Sequence, residues 1–267
     1  MALRGRDEAL QVTKARKHML HLFADPSDMQ GDLLYVRGSE VNHIRNVCRL
    51  RPGDEVSVST GRDDLEYRYG IEQILEDEVI LRLRFTRQGN VELPVRIYLF
   101  QALPKADKME LIIQKAVELG VYAVIPVSTA RCVVRLDEKK AEKKTERWQK
   151  IAEAAAMQSR RAIVPEIYAP MNMQQAAAWA HEHTQMRVIP YELQSDDRQT
   201  KSLLESAAEG ITDLSVFIGP EGGFEPEEIA LARQEGIRPI SLGRRILRTE
   251  TAGLAFLSWM IYILEIG

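Results

Sequence analysis

Between Leu33 and Phe85 apolar residues come in short alternating stretches, "EVSVST" and "VILRLRF" among them, punctuated by Pro52-Gly53-Asp54 and Gly61. A period of two between turn residues predicts a small β-rich module. One helical pattern interrupts it. In "EVNHIRNVCRL", Ile44, Val47 and Cys48 fall on one helical face while Arg45 and Arg49 stand four apart on another, so the two arginines would project together. Gly89 and Pro94 mark a linker, and beyond them the pattern changes. "VRIYLFQAL", "VYAVIPVST", "RVIPYEL", "DLSVFIGP" and "RPISLG" read as strands. "KADKMELIIQKAVELG", a long stretch from about Asp137 to Ser159, "KSLLESAAEG" and "EPEEIALARQEG" read as helices. This alternation predicts an α/β fold with a mostly parallel sheet. Ligands of such sheets lie beyond the carboxyl ends of the strands, which makes the loops after Leu193, Ile218 and Leu242 the candidate site.

The longest apolar run, "AGLAFLSWMIYILEI" from Ala252 to Ile266, contains Glu265. It falls short of the about 20 residues that a bilayer span requires, so no membrane anchor is expected. A helix apolar almost all round would be buried on several sides, in the core or at a subunit interface. Residues 1–18 mix charges with little periodicity and are set aside as an extension or leader, which leaves a β domain over 19–90 and an α/β domain over 94–267.

Charge narrows the partners. The chain has 267 residues and a formal net charge of -3, so a nucleic acid would have to meet a local basic patch. From Met19 to Arg96 every strong base is arginine, whose planar fork suits phosphate and stacked bases. The same arginines could equally be solvated charges balanced by nearby carboxylates. Cys48 and Cys132 show no metal-ligand spacing and follow no secretory signal, which points to the reducing cytoplasm. A free cysteine is ordinarily a small buried hydrophobe.

The candidate chemistry sits in "FIGPEGGFEPEEI", residues 217–229. No P-loop lysine follows, GxGxxG spacing is missing, and Glu221 in the turn would repel a triphosphate. Glu225, Glu227 and Glu228 around Pro226 suit a first helical turn and its dipole. Glu221 lacks such an explanation. Gly222 and Gly223 permit a tight turn and close approach of main chain to a ligand, so a neutral or cationic small molecule fits better than an anion. In "SLGRRILRTETAGLAF", Arg244, Arg245 and Arg248 form a basic cluster, and Thr249 or Thr251 would cap the last helix.

Together, these two stretches resemble the RsmE-like family of bacterial small-subunit ribosomal RNA methyltransferases, within the SPOUT (α/β-knot) superfamily. "NHIRNVCRLRPGDEV", "FQALPKADKMELIIQKAVELGVYAVIPVST" and "ERWQKIAEAAAMQS" resemble further blocks of that family, so the likeness covers nearly everything from Met19 on. The resemblance implies an N-terminal PUA-like β-barrel domain, a C-terminal SPOUT domain with a deep trefoil knot, S-adenosylmethionine bound in that knot, and a homodimer. It further implies methylation of N3 of a uridine in 16S ribosomal RNA, free or in the small subunit. Carried over by motif, Leu193, Ile218, Gly219, Glu221, Gly222, Gly223, Leu242, Gly243, Leu247 and Thr249 would bind the cofactor. A sulfonium cation without phosphate is compatible with a glycine loop that bears a carboxylate. Where the family continues after "QS" with a small residue and a polar pair, this chain has Arg160, Arg161, Ala162 and Ile163, and Met157 stands where a polar residue is common.

An imide nitrogen is a poor nucleophile until its proton leaves, so the enzyme must position two partners and stabilise charge on the uracil. The five histidines lie outside the cofactor loops. The expected assignment gives Arg248 or Arg245 the uracil anion, and Glu221 or Glu250 the orientation of an arginine or the proton. Arg45, Arg49, Arg51 and Arg161 would contact RNA. Two alternatives remain at this point: a SPOUT enzyme acting on another RNA position, and a non-catalytic RNA-binding protein with a degenerate knot domain.

Overall fold

A computed structural model of the chain describes residues 19–89, 91–192 and 197–266. The expected extension over 1–18 and the candidate cofactor residue Leu193 lie outside the described residues. The chain forms two compact units, one running to Val91 and including Arg160–Ile163, the other holding Glu92–Ser159 and Val164–Gly267.

In the first unit, β1 (Leu20–Phe23), β2 (Met29–Gln30), β3 (Leu33–Arg37), β4 (Glu55–Ser59), β5 (Leu65–Ile74) and β6 (Glu78–Gln88) form one sheet in the order β1-β4-β5-β6-β3-β2. All neighbours are antiparallel except β1 and β4. Its core is built from alternating positions, Val56 and Val58 on β4, Tyr69 and Ile71 on β5, Val79 and Leu81 on β6. A tether from later in the chain joins it, where Ile163 pairs with Gly61.

The expected amphipathic helix is not formed as read. A short α1 (Ser39–Asn42) widens into a π-helical turn over His43–Val47, in which the Cys48 amide reaches back five residues to the His43 carbonyl at 2.8 Å. That extra residue rotates the face: Ile44 is buried, but Val47 and Cys48 are exposed, while only Cys132 fits the buried-cysteine expectation. Arg49 lies beyond the turn with a left-handed φ of 53°.

The second unit runs β7 (Arg96–Ala102), α2 (Lys108–Glu118), β8 (Ala123–Ser128), α3 (Glu138–Ser159), β9 (Glu166–Ile167), β10 (Met171–Asn172), α4 (Met173–His183), β11 (Met186–Pro190), α5 (Asp197–Glu205), β12 (Asp213–Ile218), α6 (Pro226–Gln234), β13 (Arg238–Ile240) and α7 (Thr249–Ile261). The sheet of seven strands is parallel, in the order β10-β8-β7-β12-β11-β13 with β9 beside β8. Its strands are apolar on both faces because both are covered. Tyr98, Phe100 and Phe217 pack with the residues of α4 and α6, and Phe100 stacks on Phe217 at 4.3 Å. On α7, Gly253 sits over Leu99 and Ile218.

Periodicity did not announce α4, whose alanine-rich stretch has a weak apolar stripe, yet its start is marked. The Asn172 and Gln175 side chains cap each other's backbone amides reciprocally at 2.9 and 3.0 Å. The terminal helix, expected to be buried on several sides, buries Gly253, Phe256, Leu257 and Met260 but leaves Trp259, Tyr262 and Ile266 exposed at 38%, 62% and 72%. Among the described residues no helix is long and apolar enough to cross a membrane.

Candidate active site

Parallel register sets the geometry of the site. Gln101 on β7 pairs with Ile218 on β12 and with Pro126 on β8, and Pro190 on β11 pairs with Ile240 on β13. The carboxyl ends of five strands therefore share one edge, and among the described residues the loops that leave β7, β8, β12 and β13 meet there. The loops after β7 and β8 join those expected from sequence after Ile218 and Leu242. Their inclusion follows from strand order, which puts β7 between β8 and β12 although it comes first in the chain.

Residues 219–225 form a clamped turn. The Gly223 amide donates to the Pro220 carbonyl at 2.9 Å, and Gly223 has a φ of 70°, a left-handed angle that side chains rarely adopt. A Cβ on Gly219 would lie 3.1 Å from the Phe224 ring and one on Gly222 3.2 Å from Arg131, so both glycines let neighbouring groups close in. Arg131, from the loop after β8, donates to the Gly222 carbonyl at 2.7 Å and to both carboxylate oxygens of Glu225 at 2.8 and 2.9 Å. Glu228 accepts from the Glu225 amide at 2.9 Å and from the Ala130 amide at 2.8 Å. Glu225 and Glu228 are thus spent on holding the turn and the start of α6, as their positions at a helix start suggest.

Glu221 has another partner. Its Oε1 accepts from Lys108 Nζ at 3.0 Å and from the Lys105 amide at 3.2 Å, and the same Nζ donates to Glu250 Oε2 at 3.1 Å. The two candidate carboxylates are therefore brought together, through a lysine at the start of α2 that motif reasoning had not singled out. Burial pushes the Glu221 carboxyl up, but hydrogen bonds from Lys108, its own amide and the Lys105 amide outweigh this and leave it below the ordinary value. Glu250 is lowered by its own amide, then by Lys108 and by the charge of Arg248. Both carboxylates are thereby weaker bases than free ones, which suits the orienting role better than that of proton acceptor.

Thr249 was expected to cap α7 or bind the cofactor. Arg248 occupies the cap position and makes no side-chain cap bond, while Thr249 is buried in the first turn. Its hydroxyl donates to the Gly219 carbonyl at 2.7 Å and accepts from Gln101 Nε2 at 2.9 Å. Thr249 is a strut between the glycine loop, β7 and α7, with its hydroxyl committed inside the protein. Thr251 caps nothing with its side chain among the described contacts, its amide bonding the Arg248 carbonyl at 2.8 Å.

The remaining candidates line the same edge. Ile218 is buried at the end of β12, Leu242 and Leu247 are half-buried, and Gly243 is exposed with a φ of 91°. The side chains of Arg244, Arg245 and Arg248 are exposed and make no ion pair or hydrogen bond among the described residues, and Ile246 between them is 87% exposed. In the first unit Arg45, Arg49 and Arg51 are likewise exposed. Arg161, expected to face RNA, is only 2% exposed and has a partner inside the protein. A buried guanidinium cannot meet a polyanion, and the exposed base at that point is Arg160. The residues missed by sequence reasoning are Gln101, Lys105, Lys108 and Arg131. The first three lie within "FQALPKADKMELIIQKAVELG", but only strand order reveals that this stretch faces the glycine loop.

Residues 91–261 match the RNA methyltransferase domain family and residues 36–84 the RNA methyltransferase PUA domain family. Ribosomal RNA small subunit methyltransferase E of Bacillus subtilis (strain 168) is 41% identical over 236 residues, which span 86% of this chain and 90% of the relative. Its namesake in Aquifex aeolicus (strain VF5) is 30% identical over 250 residues, 90% of this chain and 98% of that one. The crystal structure of ribosomal RNA small subunit methyltransferase E from Neisseria gonorrhoeae, bound to S-adenosyl methionine, superposes with a TM-score of 0.74 at 27% identity, covering 92% of this chain and 98% of that chain.

Proposed function

The chain belongs to the ribosomal RNA small subunit methyltransferase E family of S-adenosylmethionine-dependent enzymes, and from that premise we propose that it methylates N3 of a uridine in 16S ribosomal RNA. The observation that carries this reading is the tie between the two motif loops. Thr249 bonds Gly219 at 2.7 Å, so the glycine loop and the arginine-bearing loop form one edge of the sheet.

The residues present fit the cofactor. A carboxylate, Glu221, stands in the glycine loop, the only cation bonded to it among the described residues is shared with Glu250, and half-buried Leu242 and Leu247 offer apolar walls. That set suits a sulfonium with an adenosyl group and disfavours a phosphate. Ile218, Gly219, Gly222, Gly223, Leu242, Gly243 and Leu247, with Leu193, would hold it. When bound, S-adenosylmethionine supplies an activated methyl group. The protein's share is positioning and charge. Arg248 or Arg245, exposed and unpaired, stabilises negative charge on the uracil ring. Glu221 and Glu250 stay ionised and fix the surrounding cations.

The finer features of the family belong to the same proposal. The first unit is a PUA-like barrel that contacts RNA backbone through Arg45, Arg49 and Arg51, and the second contains the deep trefoil knot. The enzyme acts in the cytoplasm as a homodimer whose interface includes the terminal helix, a reading supported by the exposed Trp259, Tyr262 and Ile266.

The test is transfer of labelled methyl from S-adenosylmethionine to small ribosomal subunits from cells lacking this gene, with mass-spectrometric mapping of the product. Label at a uridine N3 is the expected result. Label at another position, or none, rejects the assignment.

A further inference from the structure

We infer that Lys108 is a positioning residue for methyl transfer, fixing the spacing and charge of Glu221 and Glu250 and thereby setting the glycine loop against the start of α7. The inference rests on the proposed methyltransferase reading.

The geometry is that of a hub. Lys108 stands at the first position of α2, Glu221 in the turn after β12, and Glu250 in the first turn of α7, two residues past Arg248. One ammonium donates to both carboxylates, at 3.0 and 3.1 Å, while the Lys105 amide makes the second contact to Glu221. Oxygens that share one ammonium at these distances lie no more than about 6 Å apart, a spacing at which two carboxylates raise each other's affinity for a proton. The lysine removes that conflict. It leaves the trio with a net negative charge, which favours a cationic cofactor.

The trio is poorly suited to a purely stabilising role. The side chains are 28%, 24% and 22% exposed, and ion pairs open to water contribute little to folding. What a shared ammonium does fix is register, here among three loops that no strand pairing holds together beyond the sheet edge. Thr249 and Gly219 make the buried contact between the same two segments, and Lys108 makes the one at the surface. Of the other charges, Arg248 acts on Glu250, and Asp107, next to Lys108 in sequence, lines a cavity of about 230 Å³ with Leu103 and Pro104 of the loop after β7. On α2 itself Glu110 is paired with Arg147 of α3 at 2.8 Å and is not free to replace either carboxylate.

The experiment compares wild type, Lys108→Met and Lys108→Arg in single-turnover methyl transfer and in calorimetric titration with S-adenosylmethionine, each from pH 5 to pH 8. In Lys108→Met the transfer rate should fall roughly 10- to 100-fold, the scale of a catalytic group misplaced by about 1 Å. Its loss should deepen toward pH 5, because carboxylates deprived of their cation take up protons at higher pH. Lys108→Arg should restore most of the rate. Cofactor affinity of Lys108→Met should be no weaker than wild type at pH 8, where both carboxylates are charged, and should weaken toward pH 5, where wild type stays level. A wild-type rate and pH profile in Lys108→Met would overturn the inference, as would a pH-independent loss that arginine does not rescue. If wild type binds the cofactor but transfers nothing to the RNA, the substrate assignment fails by itself and the pH course of binding still decides on Lys108. If wild type binds no cofactor, both readings fall.

Discussion

The arginines of the first sheet and those of the loop after β13 are the same side chain put to opposite uses. Along β3, β5 and β6, Arg37 meets Glu78, Arg82 meets Glu72, Arg87 meets Glu66, and Arg84 reaches Glu55 on β4. Each partner comes from another strand, so the sheet register itself neutralises the charge. Arg244, Arg245 and Arg248 follow a strand end, with no facing strand and no carboxylate bonded to any of them among the described residues. Arg45, Arg49 and Arg51 stand exposed in the first unit at a turn outside the ladder, where the Arg45 guanidinium meets the Glu76 carbonyl at 3.5 Å and Asp54 takes the Arg51 amide, leaving the Arg51 side chain unbonded to a carboxylate among the described residues. An arginine-only composition therefore has two meanings in one chain. Those in the ladder are balanced charges, whereas the side chains of Arg45, Arg49, Arg51 and the cluster after β13 bond no carboxylate among the described residues and remain available to an anion.

Substitutions can break this contrast in order of expected size. Arg248→Ala should reduce single-turnover methylation about 100-fold at saturating RNA with little change in unfolding temperature, because the side chain caps nothing and no partner loses a bond. An unchanged rate would remove Arg248 from the chemistry. Thr249→Val keeps the shape of the strut but strands the Gly219 carbonyl and a Gln101 N–H in a buried site, so thermal or denaturant unfolding should show a loss of about 1–3 kcal/mol. The triple change Arg45→Ala, Arg49→Ala, Arg51→Ala should flatten the dependence of log Kd for RNA on log salt by roughly 2 to 3 and leave the intrinsic transfer rate alone. A wild-type slope would show that these exposed arginines meet no phosphate. Arg82→Ala, which breaks the exposed pair with Glu72, should leave both the salt dependence and the unfolding midpoint near wild type. A strong loss of RNA affinity there would erase the distinction between ladder and turn.

How much of the site was legible depended on the kind of information each residue carries. The tight turn expected at Gly222 and Gly223 was legible because few other residues adopt a left-handed angle, and Gly223 has one, at φ 70°. Glu225 and Glu228 read correctly as helix-start residues because capping is local. Thr249 was read as a cap by the same local logic and instead bonds a carbonyl thirty residues away in sequence, a contact with no local signature. The helix drawn through His43 to Cys48 failed because one wide turn moves every later side chain off the expected face. Arg161 looked like a free base because burial of a charge depends on what folds over it.

The chain by itself determined its alternation of strands and helices, the tight turn at Gly222 and Gly223 and, through two long motifs, its family. These are properties of neighbours within a few residues or of extended identity, and both are written along the chain. Strand order was decided only by the tertiary structure, and strand order places β7 beside β12 across more than a hundred intervening residues. From that adjacency follow the Gln101–Thr249–Gly219 strut and the Lys108 bridge between Glu221 and Glu250. A lysine's partner is whatever carboxylate the sheet brings within reach of its ammonium, and no local pattern encodes that distance.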